Sequence, residues 1–189
     1  MGIPYAIGWT YGLIMVVIYR ANGQLKNMAA KDALTGLNNR RCFDQVMSCF
    51  IDESQSKGQK FLVILLDLND FKAINDGYGH TFGDLILVNV AEAIREVIRE
   101  GDFAVRYGGD EFVLIMSYQQ GFDRELMLKR LRDSIEKKFI LKERQVRLRV
   151  SIGSAVYPDD GRSMDELLFI ADHKMYQEKN ERLLVSIVI

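Results

Sequence analysis

The chain has 189 residues, of which 48% are hydrophobic and 27% are charged, so it holds enough apolar material for one packed domain with an appendage. Its 25 basic and 26 acidic residues leave a formal net charge of -1. The sequence therefore lacks the basic field with which proteins usually neutralise nucleic-acid phosphates, and a nucleic-acid partner is disfavoured. Cys42 and Cys49 lack the paired spacing of a zinc site or a disulfide framework, and both are predicted to be core thiols.

The N-terminal segment, residues 1–23, differs in composition from the rest of the chain. Residues 3–19 carry no charge, and as a helix they would rise roughly 25 Å, which is short for a bilayer crossing. Aromatic residues at Tyr5, Trp9 and Tyr19, with basic residues only on the C-terminal side, favour a membrane anchor in the inner (cytoplasmic) membrane with a cytoplasmic domain. An apolar helix packed on a partner, in a cytoplasmic protein, or the last part of a longer membrane region explains the composition nearly as well.

Residues 24–33 are predicted to form a helical connector to a domain that occupies residues 34–189. Within that domain, residues 40–50 carry apolar side chains at helix spacing on one face. The short apolar run at residues 61–66 predicts a strand that is covered on both faces. Residues 83–101 predict a long amphipathic helix.

A hairpin is predicted farther along, because strand-like residues 103–107 and 112–116 flank a turn with two glycines. A polar amphipathic helix at 124–137 follows, and then a strand at 146–157 that is predicted to break near Gly153. Strands and helices are mixed without an internal repeat. The sequence therefore predicts an α+β sandwich, with a mainly antiparallel central sheet surrounded by helices.

The last helix is predicted to begin at a capping box formed by Ser163 and Glu166. Its apolar face extends to Met175, and Lys179 lies four residues farther on.

Three acidic residues stand where predicted strands end or turn: Asp67 after the buried strand, and Asp110 and Glu111 in the glycine turn. Mg²⁺ usually takes one or two protein carboxylates together with water and substrate phosphates, so Asp67 and Asp110 are candidate ligands of a two-metal site. Gly108 and Gly109 would let a ligand come close to the backbone. For the turn taken alone, a plain β-turn with solvated acids is the alternative.

The wider pattern resembles the GGDEF family of diguanylate cyclases, a branch of the palm-like nucleotide cyclases. The resemblance runs from residue 32 to residue 179, and five segments occur in the family's order and at matching intervals. These segments are DALTGLNNRRCF at 32–43, DLNDFKAINDGYGHTFGD at 67–84, RYGGDEF at 106–112, SIGSAVYPDDG at 151–161 and ADHKMYQEK at 171–179.

The resemblance implies an enzyme that uses magnesium, or manganese, to join two GTP molecules into cyclic di-GMP with release of two pyrophosphates. The 3′-hydroxyl of one GTP attacks the α-phosphate of the other, and each nucleotide is held by one subunit of a facing homodimer. By resemblance, Asp67, Asp110 and the main-chain carbonyl of Leu68 would bind the metal. Glu111 would assist metal binding or proton removal, so Asp110 and Glu111 are the catalytic candidates.

The substrate positions are also implied by resemblance. Asn75 and Asp84 match the residues that hydrogen-bond the guanine edge, and Lys72 and Lys179 match those that neutralise the terminal phosphates. Guanine presents donors at N1 and N2, which suits an acceptor carboxylate such as Asp84. Taken alone, Asn75 would be a turn residue at a helix end and Lys72 a solvated surface lysine.

Arg99 and Asp102 match the family's product-inhibition site, an Arg-x-x-Asp placed five residues before the glycine pair. Arginine can fork onto a phosphate or a guanine edge, and an aspartate can accept from guanine N1 and N2. The alternative is an arginine at the end of a helix, near its C-terminal dipole, followed by a turn aspartate. The register of the motif favours the inhibitory site.

The C-terminus departs from the family, which usually continues with a Gly-Arg-Asn turn and a last strand. This chain instead reads NERLLVSIVI after Lys179, so Arg182 stands one residue early and the glycine is missing. Residues 183–189 are predicted to pair as an edge strand. Because of this departure, a catalytically idle domain that binds cyclic di-GMP or GTP is the alternative to an active cyclase, and a dimerising fragment is a third hypothesis.

Overall fold

The computed structural model describes residues 30–119, 121–136, 138–141 and 144–187. The first half of the described chain contains β1 (Asn38–Asn39), α1 (Arg40–Lys57), β2 (Lys60–Leu68), α2 (Phe71–Tyr78), α3 (His80–Val97) and β3 (Phe103–Arg106). The second half contains β4 (Glu111–Tyr118), α4 (Arg124–Ile135), β5 (Lys138–Leu141), β6 (Arg144–Arg147), β7 (Val150–Tyr157) and α5 (Met164–Ile187).

Five strands form one sheet in the order β1-β3-β4-β2-β7. The short strand β1 pairs in parallel with β3, and the other neighbouring pairs in this sheet are antiparallel. Strands β5 and β6 form a separate two-stranded antiparallel sheet. The prediction of an α+β fold with a mainly antiparallel central sheet is confirmed.

Helices cover both faces of the five-stranded sheet, and the central strand β2 supplies side chains to both. Leu62, Ile64 and Leu66 pack in one hydrophobic cluster with α3 and α4. Phe61 and Val63 pack in a second cluster with α1 and α5. The prediction of a strand covered on both faces is therefore correct, and this burial fixes the register of the strand, since a slip by one residue would exchange the two faces.

Strand β7 differs from its prediction, because it runs without interruption through Gly153 and the break falls at residues 148–149. The glycine serves packing instead. A Cβ on Gly153 would lie 1.9 Å from the carbonyl oxygen of Ala171 and 2.4 Å from the amide nitrogen of Met175. Helix α5 thus approaches the strand more closely than any other residue at this position would allow.

The start of α5 agrees with the prediction, and its end does not. The amide of Glu166 donates to Ser163 Oγ at 3.2 Å, and the amide of Ser163 donates to Glu166 Oε2 at 3.3 Å, which is the predicted capping box. The predicted edge strand at 183–189 is wrong for residues 183–187, which continue the helix. No glycine or proline interrupts residues 164–187, so nothing in the sequence stops the helix.

Helix α1 contains both cysteines, and both are free thiols. Cys42 is buried as predicted, whereas Cys49 is exposed, so the prediction of a second core thiol is wrong. Cys49 follows the buried Met47 by two positions, about 200° around the helix axis, and therefore lies away from the sheet.

The predicted apolar segment at 1–23 and most of the predicted connector at 24–33 lie outside the described residues. Within the described ranges, none of the helices combines the length and the apolar character needed to span a bilayer.

Candidate active site

The three predicted acids meet at one end of the central sheet. Strands β2 and β4 are paired so that Asp67 lies opposite Glu111. The amide of Leu68 donates to the carbonyl of Asp110 at 3.3 Å, which ties the turn between β3 and β4 to the end of β2. The long-range pairing of two strands thus brings together carboxylates that are more than forty positions apart in the sequence.

Arg106, the last residue of β3, contacts both the glycine turn and the segment before β1. Its Nη2 and Nε donate to the carbonyl of Gly109 at 2.7 and 3.1 Å. Its Nη1 donates to both carboxylate oxygens of Asp32, each at 3.2 Å. Sequence reasoning assigned no role to Arg106 or Asp32, although both lie in the segments that resemble the GGDEF family.

The two glycines of the turn differ in the space around the position that a Cβ would take. A Cβ on Gly108 would lie 2.5 Å from Glu111 Oε2, so a larger residue at this position would require the end of the Glu111 side chain to move. A Cβ on Gly109 would meet no atom within 4 Å. Packing within the described chain therefore does not explain a glycine at 109, and the close approach of a ligand to this backbone stays a prediction.

Electrostatic repulsion concentrates at this end of the sheet. Burial raises the pKa of Asp110, and the negative charge of Asp67 raises it further, with partial compensation by Lys179 and Arg106. Partial loss of hydration raises the pKa of Glu111, and the charges of Asp67, Asp110 and Asp172 add to that shift. Such a group of mutually repelling carboxylates favours the uptake of a cation.

The positively charged side chain of Lys179, on α5, reaches this group of carboxylates. Its Nζ lies 2.5 Å from Asp67 Oδ1, and the Asp67 side chain is only 13% exposed. Lys179 was predicted to bind the terminal phosphates of a nucleotide, and the structure places it directly beside a predicted metal ligand. One ammonium group at this point is able to contact both a carboxylate and a phosphate held near it.

The carboxylates at this site suit a metal ion that takes its remaining ligands from water and from a bound nucleotide. Within the described part of the chain, no group of three or more His, Cys, Asp or Glu side chains is arranged to hold a metal ion. Asp67 and Asp110 offer two carboxylates, and Mg²⁺ usually takes one or two of these together with water and nucleotide phosphates. The pair therefore suits Mg²⁺ bound with a nucleotide. The role of the Leu68 carbonyl stays a prediction.

The predicted guanine residues lie together at the corner between α2 and α3. A Cβ on Gly83 would lie 1.9 Å from Asn75 Oδ1, so the amide of Asn75 rests against the backbone beside Asp84. Lys72 is exposed on α2, and no ion pair joins it to Asp67 or Asp110 in the residues that the structure describes. Their roles toward a nucleotide remain predictions.

The family model described as "Diguanylate cyclase, GGDEF domain" matches residues 29–183, which is most of the chain. The chain belongs to the GGDEF family.

Individual relatives agree with this assignment. The chain is 40% identical over 162 residues to "Bifunctional diguanylate cyclase/cyclic di-GMP phosphodiesterase MucR" of Pseudomonas aeruginosa, covering 86% of this chain and 24% of MucR. The chain therefore spans about a quarter of the length of that relative.

Solved GGDEF structures share the fold. A sensory box/GGDEF family protein from Caulobacter crescentus superposes with a TM-score of 0.74 at 32% identity, covering 81% of this chain and 99% of that one. The GGDEF domain of DgcB from the same organism, solved in complex with c-di-GMP, has a TM-score of 0.74 at 28% identity, covering 81% and 91% of the two chains.

The predicted product site of this GGDEF domain lies at the far end of the β3–β4 hairpin. Asp102 accepts the amide of Arg99 at 2.9 Å and the amide of Ser117 at 3.3 Å. Burial raises the pKa of Asp102, although both backbone hydrogen bonds and the charge of Arg99 oppose that shift. Ser117 lies six residues along β4 from Glu111, so the two sites are separated by roughly 20 Å of strand.

Proposed function

We propose that this GGDEF domain is an active diguanylate cyclase, which condenses two GTP molecules into cyclic di-GMP and two pyrophosphates. The observation that carries the proposal is the meeting of Asp67, Asp110 and Glu111 at one end of the sheet, with Lys179 beside them. The description of the matching family and the name of MucR support the same activity.

Asp67 and Asp110, with the carbonyl of Leu68, would hold Mg²⁺ or Mn²⁺ in this proposal. The bound ion would supply charge neutralisation at the α-phosphate and would lower the pKa of the attacking 3′-hydroxyl.

The other residues of the site bind and orient the nucleotide. Lys179 and Lys72 would neutralise the terminal phosphates, while Asn75 and Asp84 would hydrogen-bond the guanine edge. Glu111 would assist at the metal or take the proton of the attacking hydroxyl. Adenine would leave the acceptors of Asp84 unpaired, so we expect the site to prefer GTP over ATP.

Two subunits complete the reaction, because each would hold one GTP and present it to the other. The product would also bind at Arg99 and Asp102 and inhibit the enzyme from the opposite end of the hairpin. The solved complex of the DgcB GGDEF domain with c-di-GMP supports affinity of this fold for the product. Residues 3–19 would anchor the chain to a membrane.

The proposal is tested by incubating the full chain with GTP and Mg²⁺ at high protein concentration and separating the products by chromatography. High concentration matters because two subunits must meet. We expect cyclic di-GMP from the wild type, and a loss of at least about a hundredfold in rate for Asp110→Ala, because a preorganised charge at the reacting phosphate is removed. Thermal unfolding of the variant shows whether its fold is retained.

The competing hypothesis is a receptor that binds cyclic di-GMP without making it. A wild-type chain that forms no product yet binds cyclic di-GMP tightly, with binding lost in Arg99→Ala, would overturn the cyclase proposal. A chain that forms no product and binds neither GTP nor cyclic di-GMP would overturn both and favour the dimerising fragment.

A further inference from the structure

Strand β7 is the last strand of the central sheet, so one side of its backbone faces no other strand within the described residues. Charged side chains form hydrogen bonds with the backbone groups on that side, where a further strand would otherwise pair. The five hydrogen bonds are Glu136 Oε1 with the amide of Val150, Arg182 Nη1 with the carbonyl of Val150, Glu178 Oε2 with the amide of Ile152, Lys174 Nζ with the carbonyl of Ser154, and Asp160 Oδ2 with the amide of Val156.

Four of the side chains near the start of this edge form one network, which we call the β7 clamp: Arg132 from α4, Glu136 directly after the end of α4, and Glu178 and Arg182 from α5. Arg132 Nη2 contacts both carboxylate oxygens of Glu178 at 2.7 and 2.8 Å. Arg182 Nε lies 2.9 Å from Glu178 Oε1, and Arg182 Nη1 pairs with Glu136 Oε1. The four side chains are between 22% and 29% exposed, so water screens these ion pairs less than it screens surface pairs.

The strand register connects the clamp to the active site. Glu178 accepts the amide of Ile152 at 3.2 Å, and Ile152 lies opposite Leu66 in the sheet. The next pair in the same register is Ser151 with Asp67. The clamp therefore fastens α5 to β7 within one residue of the level of Asp67, and Lys179, which follows Glu178 in the helix, lies with its Nζ 2.5 Å from that carboxylate.

We propose that the β7 clamp positions Lys179 in the active site, so that Arg182 acts through Lys179 and does not contact the phosphates itself. The inference deepens the proposed cyclase function and rests on it for its effect on GTP. Arg182 already directs its Nη1 and Nε to Glu136, Glu178 and the carbonyl of Val150. Arg182 thus serves this chain in a different way from the arginine of the Gly-Arg-Asn turn that the family usually carries.

The first test measures coupling between Arg182 and Lys179 in the full chain. The dissociation constant of 3′-deoxy-GTP, which cannot react, is determined with Mg²⁺ for Arg182→Met, Lys179→Met and the double variant. We expect each single change to weaken binding about tenfold, as for lost hydrogen bonds between charged groups, and the double variant to bind no more weakly than Lys179→Met. Arg124→Met is the matched control, because Arg124 pairs with its sequence neighbour Glu125 on the surface at the start of α4. This variant should bind like the wild type.

Two results of this test would overturn the proposal. Losses that multiply in the double variant would mean that Arg182 contacts the phosphates independently of Lys179. Unchanged binding in Arg182→Met would mean that the clamp has no influence on the site. Glu178→Gln, which keeps the shape of the side chain, repeats the test if Arg182→Met does not fold, as judged by thermal unfolding.

The second test needs no nucleotide. The acetylation rate of Lys179 is followed by mass spectrometry in the free protein, with the exposed Lys129 on α4 as the internal reference. We expect Arg182→Met to raise the rate at Lys179 about tenfold relative to Lys129, since the ammonium leaves its ion pair with Asp67. An unchanged rate would overturn the positioning role. A raised rate in a chain whose wild type does not bind GTP would leave the positioning role intact and refute the proposed cyclase function.

Discussion

At the scale of single residues, the two glycines of the turn differ in what surrounds them. Gly108 leaves room for the neighbouring side chain of Glu111, whose Oε2 a Cβ would meet at 2.5 Å. Gly109 has open space where its Cβ would be. A glycine that the fold does not need, in a turn between two proposed catalytic strands, suggests that a ligand occupies the space.

Substitution of Gly109 by alanine tests this distinction. We expect Gly109→Ala to change the free energy of unfolding by no more than about 0.5 kcal/mol, as for a surface change without new contacts. We expect it to weaken GTP binding at least about tenfold, because the methyl group occupies the space of a phosphate. Urea unfolding and calorimetric titration measure the two effects, and normal GTP affinity in a stable variant would show that no ligand approaches Gly109.

Gly83 has a different function, since it makes room for the amide of Asn75. We expect Gly83→Ala to cost about 1–3 kcal/mol in the free energy of unfolding, the usual range for overpacking. The cost should fall when Asn75→Ala removes the clashing atom, so the double variant should be more stable than the sum of the single effects indicates. Additive costs in urea unfolding would show that the clash lies elsewhere, for example with Phe71, whose ring is 3.2 Å from the same position.

The acidic residues of the site could be predicted from the sequence, but the residues that position the glycine turn beside them could not. Asp67, Asp110 and Glu111 stand beside glycines and strand ends, where their type and position already suggest a metal site. Arg106 gives no such signal, because its partner Asp32 lies 74 positions earlier and the contact exists only after β3 has joined the sheet. Roles of this kind depend on tertiary pairing, and local pattern does not contain them.

At the scale of elements, the segment before β1 is joined to the hairpin through Asp32. Asp32 accepts the amide and the hydroxyl of Thr35 at 2.8 and 2.6 Å, and it also pairs with Arg106. Burial alone would raise the pKa of Asp32, but the hydrogen bonds from Thr35 and the contact with Arg106 outweigh it, and the pKa is lowered from 3.8. The ionised form is therefore the one that the folded state prefers.

This preference makes a prediction about pH. Because the folded-state pKa of Asp32 is lowered, its contribution to stability is fully present above pH 3.8 and is lost as the pH falls through the folded value. We expect Asp32→Asn to reduce the free energy of unfolding at pH 7 by about 1–3 kcal/mol, as for a lost hydrogen bond to a charged group.

Urea unfolding between pH 7 and pH 3 measures the difference between wild type and Asp32→Asn. The difference in the free energy of unfolding should shrink as the pH falls below 3.8, the ordinary pKa of an aspartate side chain. A difference that is constant over this range would mean that the charge of Asp32 does not contribute to stability.

Helix beginnings were more predictable than helix ends. The capping box at Ser163 and Glu166 is a local arrangement and was found from sequence spacing alone. The family resemblance predicts a strand at 183–189. The ion pairs of Glu178 with Arg132 on α4, and of Arg182 with Glu136 just beyond α4, favour continued helix instead. Close packing of α5 explains why Gly153 lies within a strand, because a Cβ at this position would meet the backbone of Ala171 and Met175, and no break is required.

At the scale of the whole molecule, the proposed active site and the proposed product site lie at opposite ends of the β3–β4 hairpin. The carboxylates and Lys179 lie at one end of the β3–β4 hairpin, and Arg99 with Asp102 lie at the other. Both are held by the same two strands, so a product bound at Arg99 would contact the hairpin that also carries Asp110. Hydrophobic periodicity predicted the layers of this arrangement, whereas the strand order, and hence which loops meet, required the structure.

We propose that Asp67 and Asp110 form a metal centre that a nucleotide completes. The most direct measurement is a Mn²⁺ titration followed by electron paramagnetic resonance, with and without unreactive 3′-deoxy-GTP. We expect the wild type to take up Mn²⁺ only together with the nucleotide. Uptake should weaken at least about tenfold in Asp67→Asn and Asp110→Asn, because each variant loses one carboxylate ligand. Uptake equal to the wild type in both variants, or no uptake by the folded wild type in the presence of nucleotide, would contradict it.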